Sequence, residues 1–182
     1  MVEKVEYTDV WLKVKEAART TIGKEGSGVY PSDQWKKTAL LAEHSIIRKI
    51  HFKWVWTKLK SWISVHFVRH KIGVEHWVST QRSDRTGIDR DKLPQDSPVN
   101  HEVDANAQAL ITISRKRLCS QADPETRQAW GEVKEKMQMI DPVIASVMVR
   151  ECVYRGFCPE FHCCGYVNTE AYREELRNYR EH

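Results

Sequence analysis

The chain has 182 residues and a formal net charge of +4, so its size suits one domain and its mild positive excess suits phosphorylated ligands. That excess is too small for a dedicated nucleic-acid-binding protein, and no run of about eighteen apolar residues is present to span a membrane. The amino-terminal segment lacks the apolar core of a signal peptide, so we expect a cytoplasmic protein whose five cysteines are reduced or bound to metal.

Two helices are predicted in the first part of the chain. The first covers residues 8–21, where apolar residues recur at helical spacing. The second is capped by Ser32 or Asp33 and ends near His44. A strand is predicted next, because apolar residues alternate with polar ones over residues 50–56. Helical spacing then resumes over residues 59–66, so the strand should lead into a third helix.

A basic segment stands at the carboxyl end of this third helix. It consists of Arg69, His70 and Lys71, then seven residues and Ser79, and then Gln81 and Arg82. Apolar residues precede it and lie inside it, which predicts that part of it is buried. Cations held against apolar surface cost free energy unless an anion meets them, and phosphate is a common partner for Arg and Lys beside a hydroxyl. A basic surface segment with one core histidine is the alternative.

Residues 86–100 are rich in Gly, Pro, Asp and Ser, which predicts a mobile surface loop that could serve as a lid over the site. Helical spacing returns over residues 103–119. Further on, Asp123 is predicted to cap a helix whose first residue is Pro124, and Asp141 with Pro142 interrupts its helical spacing, which then continues. A charged C-terminal helix is predicted over residues 169–182, with an aromatic face that docks on a neighbour.

Residues 150–168 form a cysteine-rich segment with four candidate zinc ligands. They are Cys152, Cys158, His162 and Cys163. Thiolate and imidazole groups at this density are typical of zinc sites, although the spacing is not that of a standard zinc knuckle. Free cysteines that are simply buried are the alternative.

Two blocks of the sequence resemble the flavin-dependent thymidylate synthases. The Arg-His-Lys of residues 69–71, followed after seven residues by Ser79, resembles the family motif Arg-His-Arg, seven residues, Ser. The segment from Asn106 to the Arg-Lys-Arg of residues 115–117 resembles a second block, in which an Asn opens a helix that ends in Arg-x-Arg. Two such blocks in this order are much harder to obtain by chance than either one alone.

The resemblance implies an α+β fold, with residues 1–182 forming a helix-rich single domain that contains a small antiparallel sheet and assembles as a homotetramer. It implies methylation of dUMP at C5 to give dTMP. FAD is then the implied cofactor, and methylenetetrahydrofolate and NADPH are the implied co-substrates.

Roles for individual residues follow from the same resemblance. Arg117 would face the pyrimidine, and Ser79 would be the second catalytic residue. Substrate binding would involve Ser79, Gln81, Arg82 and Arg117. The implied flavin contacts are His44, Arg69, His70, Lys71 and Asn106.

Several positions depart from the family pattern. His76 and Trp77 stand where the family usually carries Asn-Glu, and Lys71 lacks the forked geometry of an arginine. Gln108 and Thr112 stand where the family tends to contact flavin. These departures leave two alternatives open. The protein could bind nucleotide or nucleic acid on the same scaffold without flavin, or it could modify another pyrimidine.

Overall fold

The computed structural model describes residues 1–181. The strands in this part of the chain are β1 (Val2–Tyr7), β2 (His51–Lys60), β3 (Val74–Val78) and β4 (Pro98–Asn106). The helices are α1 (Trp11–Thr20), α2 (Asp33–Leu41), α3 (Ser61–Phe67), α4 (Ser83–Thr86), α5 (Ala107–Arg117), α6 (Pro124–Ile140), α7 (Pro142–Val147), α8 (Glu151–Arg155) and α9 (Glu170–Arg180). Within residues 1–181, no helix is both long and apolar enough to cross a bilayer.

The four strands form one antiparallel sheet in the order β1-β2-β4-β3. Every second residue of β2 is buried as far as Trp56: Phe52, Trp54 and Trp56 are at most 1% exposed. Their alternation is the pattern that predicted this strand. Trp130 of α6 packs edge-on against Trp54, with 5.9 Å between the ring centres, so sheet and helices share one core. The predicted α+β class with a small antiparallel sheet is confirmed.

The segment before α5 is a strand, so the prediction of a helix from residue 103 is wrong at its start. β4 extends to Asn106, and α5 begins at Ala107. The buried residues of β4 are Val99, His101, Val103 and Ala105. They alternate with more exposed residues, which is the strand period. A histidine on the buried face concealed this period in the sequence.

The loop between α4 and β4 agrees in part with the predicted loop over residues 86–100. It contains only a short 3-10 turn at Arg90–Lys92. The last residues of the predicted loop, from Pro98, belong to β4 instead. The predicted mobility of this loop stays a prediction.

The C-terminal helix α9 begins after Thr169, whose side chain caps it. Its predicted end at residue 182 lies outside the described residues. Tyr172 and Tyr179 are buried where α9 packs against α7 and α8. The neighbour on which the aromatic face docks is therefore the chain's own core.

Asp141 links the end of α6 to the amino-terminal part of the chain. It is only 6% exposed. Its Oδ2 accepts hydrogen bonds from Nε1 of Trp11 over 2.6 Å and from the hydroxyl of Tyr7 over 2.7 Å. Its Oδ1 accepts the backbone N–H of Ile144 over 3.2 Å, which caps α7. The sequence predicted an interruption of the helical spacing at Asp141, but neither this cap nor the two side-chain partners, which come from β1 and α1.

Candidate functional site

Arg117, at the end of α5, lies against the segment that follows α3. Its Nε donates to Nε2 of His70 over 2.9 Å, and its Nη2 donates to the carbonyl oxygen of His66 over 2.6 Å. The remaining nitrogen, Nη1, has no hydrogen-bond partner within residues 1–181. The structure therefore brings together two predicted site residues from the two sequence blocks and leaves one donor of Arg117 for a ligand.

His70 is neutral in this arrangement. An arginine can only donate, so Nε2 of His70 must be bare and its Nδ1 carries the hydrogen. Burial, and then the charge of Arg117, lowers the pKa of His70 to about 4. Burial, and then the charge of Arg69, lowers the pKa of Arg117, but a guanidinium remains charged in proteins. The pair thus presents one charged donor beside a neutral imidazole.

Arg69 and Lys71 flank His70, and both are exposed. Within residues 1–181, neither of them forms an ion pair. The expectation that part of the basic segment is buried holds at His70, which is half-buried, whereas these two cations reach solvent. Two unpaired cations can meet an anionic ligand without first losing a protein partner.

A second group of predicted site residues lines a cleft of about 370 Å³ beside α3. Ser79, Gln81 and Arg82 all lie along it. The Oγ of Ser79 accepts the backbone N–H of Asn100 over 2.9 Å, which leaves its hydroxyl hydrogen for a ligand. Arg82 donates twice to Asp84, over 2.9 and 2.8 Å. A phosphate that binds Arg82 must therefore compete with Asp84.

Arg90 lines the same cleft, although the sequence did not single it out. Its backbone N–H donates to Oγ of Ser83 over 3.0 Å, which positions the turn that carries it. Its side chain forms no ion pair in the described part of the chain. One charge among several in a polar loop gives no sequence signal, yet Arg90 supplies the cleft with a cation that is not already paired.

A buried row of side chains connects the cleft with His70. Ser64 of α3 lines the cleft, and its Oγ lies 3.1 Å from Nδ1 of His101. The Nε2 of His101 lies 2.9 Å from Nδ1 of His76, and Nε2 of His76 lies 2.9 Å from the carbonyl oxygen of His70. Sequence reasoning noted His76 only as a departure. Ser64 and His101 gave no signal, because they lie far apart along the chain.

Asn106 lies beside the basic segment and has a structural role of its own. Its Oδ1 accepts the N–H of Ala109 and so caps α5, as the second sequence block predicted. Gly73 has a φ of +72°, and a Cβ there would lie 2.6 Å from Nδ2 of Asn106, so only glycine permits this close approach. His44 is exposed and caps the short helix Ser45–Lys49. Within residues 1–181, no hydrogen bond joins His44 to the basic segment.

The two departures within α5 point away from the Arg117–His70 pair. Gln108 donates to the carboxylate of Glu43, which also pairs with Arg115. Thr112 is exposed and donates to the carbonyl oxygen of Gln108. Neither residue forms a hydrogen bond with the pair in the described part of the chain, so these departures leave the pair intact.

The zinc prediction for Cys152, Cys158, His162 and Cys163 is not supported by the structure. Within residues 1–181, no three His, Cys, Asp or Glu side chains are arranged to hold a metal ion. Cys152 is buried in α8, and burial raises the pKa of its thiol to about 11, whereas Cys163 is exposed. The alternative of a buried free cysteine accounts for Cys152.

We predict that the protein loses stability in mild acid, because His101 is held neutral. Burial, and then the nearby His76, lowers the pKa of His101 from 6.5 to about 4. The unfolded chain therefore binds this proton first, so the stabilisation is complete above about pH 6.5 and is lost as the pH falls towards 4. We expect the free energy of unfolding in urea to fall by on the order of 2–3 kcal/mol between about pH 7 and pH 4.5. An NMR titration in which His101 takes up its proton near pH 6.5 would contradict this.

Comparison with known proteins gives no match by sequence and clear matches by structure. No protein-family model and no curated protein matches the chain. The crystal structure of flavin-dependent thymidylate synthase ThyX from Helicobacter pylori, complexed with FAD and dUMP, matches with a TM-score of 0.63 and 10% identity over 81% of this chain and 100% of that chain. A second such structure, also with FAD and dUMP, matches with a TM-score of 0.60 and 12% identity over 79% and 99% of the two chains.

The UMP/dUMP methylase PolB from Streptomyces cacaoi, bound with 5-Br dUMP, also matches this chain. Its TM-score is 0.63 at 13% identity, over 86% of this chain and 96% of PolB. Identities this low leave the fold as the shared property. The fold implied by the two sequence blocks is confirmed: the chain has the ThyX-like fold, helix-rich around a small four-stranded antiparallel sheet.

Proposed function

We propose that the protein is a flavin-dependent methyltransferase that converts dUMP to dTMP. The observation that carries this proposal is the Arg117–His70 pair, which joins the two resembling sequence blocks and leaves one donor of Arg117 for a ligand. The ThyX structure contains FAD and dUMP, and the PolB structure contains 5-Br dUMP. These ligands of proteins with the same fold support a uracil nucleotide as the substrate.

The nucleotide's phosphate is proposed to bind in the cleft beside α3. Ser79 can donate its hydroxyl, and Gln81 can donate its side-chain amide. Arg82 can exchange Asp84 for the phosphate, and Arg90 adds an unpaired cation. Charge-assisted hydrogen bonds of this kind are stronger than neutral ones, so the two arginines should contribute most of the affinity for phosphate.

The residues around His70 fit a flavin cofactor. Arg69 and Lys71 are exposed and unpaired in the described part of the chain, and such a pair of cations suits the pyrophosphate of FAD. His70 and Asn106 are proposed to lie beside the flavin, with His44 as a further contact. Reduced FAD, when bound, supplies the hydride of the reaction. NADPH and methylenetetrahydrofolate are the proposed co-substrates.

Arg117 is proposed to stabilise charge on the pyrimidine. Uracil is a poor nucleophile at C5, so electron density must be pushed onto the ring before that carbon can react, and negative charge then develops on the ring. Arg117 carries a positive charge and a free Nη1, so it can donate to that developing charge. His70 and the carbonyl of His66 hold the guanidinium in one orientation. Because His70 is neutral, it does so without repelling the charge of Arg117.

Assembly as a homotetramer is part of the proposal. Ile72 and Trp77 are 89% and 54% exposed, and they lie just beside the basic segment. β3 is an edge strand of the sheet, so this apolar surface can be covered by another copy of the chain. Such packing would bring a second subunit to the cofactor-binding residues.

The first test is a titration of FAD that follows its fluorescence, with dUMP present. We expect saturable quenching that weakens at least about tenfold in the Arg69→Ala, Lys71→Ala double variant, because charge-assisted contacts typically contribute about 1.5–3 kcal/mol each. A Lys13→Ala, Lys24→Ala double variant removes the same charge outside the site and should bind normally. No saturable binding at high micromolar FAD would reject the flavoenzyme and favour the binding scaffold.

The second test is product formation. The protein is incubated with FAD, NADPH, methylenetetrahydrofolate and either dUMP or UMP, and the nucleotides are separated by chromatography. We expect dTMP from dUMP. Methylation of UMP instead would show that the protein modifies another pyrimidine nucleotide, the alternative that the PolB match supports. Binding of either nucleotide without any methylated product would favour the alternative that the protein binds nucleotides without modifying them.

A further inference from the structure

The row of side chains from Ser64 to His70 has a direction that hydrogen-bond chemistry determines. A carbonyl oxygen can only accept, so Nε2 of His76 must carry the hydrogen that it donates to the carbonyl of His70. His76 is half-buried and forms no ion pair within residues 1–181, and burial lowers its pKa, so its ring is neutral at neutral pH. Its Nδ1 is therefore bare and must accept a hydrogen from Nε2 of His101.

The same reasoning reaches Ser64. His101 is fully buried and uncharged, so the hydrogen on its Nε2 is its only one and its Nδ1 is bare. The Oγ of Ser64 must then donate its hydrogen to that nitrogen. A serine hydroxyl has a single hydrogen, so Ser64 presents only acceptor lone pairs to the cleft that it lines.

We propose that Ser64 is an acceptor-only contact in the wall of the cleft and selects a ligand group that donates a hydrogen bond to it. On a uracil nucleotide, whose identification rests on the proposed function, the neutral donors are the ring N3–H and the sugar 3′-hydroxyl. A phosphate dianion has acceptors only, so it is disfavoured beside Ser64. Ser64 thereby orients the nucleotide, with its phosphate towards Arg82 and Arg90 and a donor group towards α3.

The direction of the row can be measured on the ligand-free protein by long-range ¹H–¹⁵N NMR of the histidine rings at neutral pH. We expect His76 and His101 to be neutral with their hydrogens on Nε2. His70 is the internal comparison, because its Nε2 accepts from Arg117 and its hydrogen must be on Nδ1. A hydrogen on Nδ1 of His101, or a charged ring at His76 or His101, would overturn the proposal.

The selectivity can be measured by calorimetry with dUMP, N3-methyl-dUMP and 2′,3′-dideoxyuridine monophosphate. Loss of the donor that faces Ser64 should weaken binding to the wild type about tenfold. The Ser64→Ala variant should bind the analogue that lacks this donor as tightly as it binds dUMP. The other analogue should show the same change in affinity, relative to dUMP, in the wild type and in the variant. Equal losses in both proteins for both analogues would overturn the proposal. Failure of dUMP itself to bind would reject the proposed function, while the NMR measurement still decides the direction of the row.

Discussion

The Arg117→Ala variant is expected to turn over dUMP about 10²–10³-fold more slowly than the wild type, since removing one preorganised donor from an oxyanion site has an effect of this size. Two contacts of Arg117 orient its guanidinium, and Nη1 stays available. The loss should therefore appear mainly in kcat. Steady-state kinetics with dUMP, at saturating FAD and co-substrates, measures it.

Lys116→Ala is the matched control for this prediction. Lys116 is the preceding residue of α5, it carries the same charge, and its side chain is 56% exposed. It pairs with Glu151 over 3.6 Å and does not contact His70. We expect its turnover to match that of the wild type. If Arg117→Ala also retained full turnover, the proposed catalytic role of Arg117 would be wrong. A change confined to KM would assign Arg117 to substrate binding instead.

The Asp141→Ala variant is expected to be strongly destabilised. The change leaves the indole N–H of Trp11 and the hydroxyl of Tyr7 without their acceptor. A buried donor that loses its partner costs about 1–3 kcal/mol, which applies in full to Trp11 and in part to the half-buried Tyr7, and the cap of α7 is lost as well. We expect the free energy of unfolding to fall by about 3–5 kcal/mol, measured by urea denaturation.

Asp123→Ala separates the cap from the buried side-chain bonds. Asp123 also precedes a proline, and it caps α6 by accepting the backbone N–H groups of Glu125 and Thr126. It accepts no hydrogen bond from a side chain in the described part of the chain. We therefore expect it to cost only about 1 kcal/mol. Equal losses in the two variants would show that the bonds to Trp11 and Tyr7 add nothing beyond the cap.

Features that depend on neighbouring residues were predictable from the sequence. β2 was identified because its apolar residues repeat every second position, and burial on one face of a sheet requires this repeat. The cap at Asp123 was identified because a cap is a contact between a side chain and a backbone N–H two or three residues away. The cap at Asn106 and the fold were implied by the resemblance of the two blocks around residues 69–79 and 106–117 to a known family.

Contacts between distant parts of the chain could not be predicted in this way. The end of β4 was assigned to a helix because Val103 fits the helical spacing of Ala107 and Leu110, and His101 on the buried face hid the strand period. The partners of His101, Ser64 and His76, come from α3 and β3, which no local pattern connects to β4.

The amino-acid sequence by itself determined the residue types of the candidate site, the period of the central strand and the starts of α2 and α6. Only the tertiary structure decided that Arg117 contacts His70 and that the hydroxyl of Ser64 lies within hydrogen-bond distance of His101. The physical reason is that hydrogen-bond direction and charge state depend on what surrounds a side chain in space. Folding brings those partners from three or more elements of the chain.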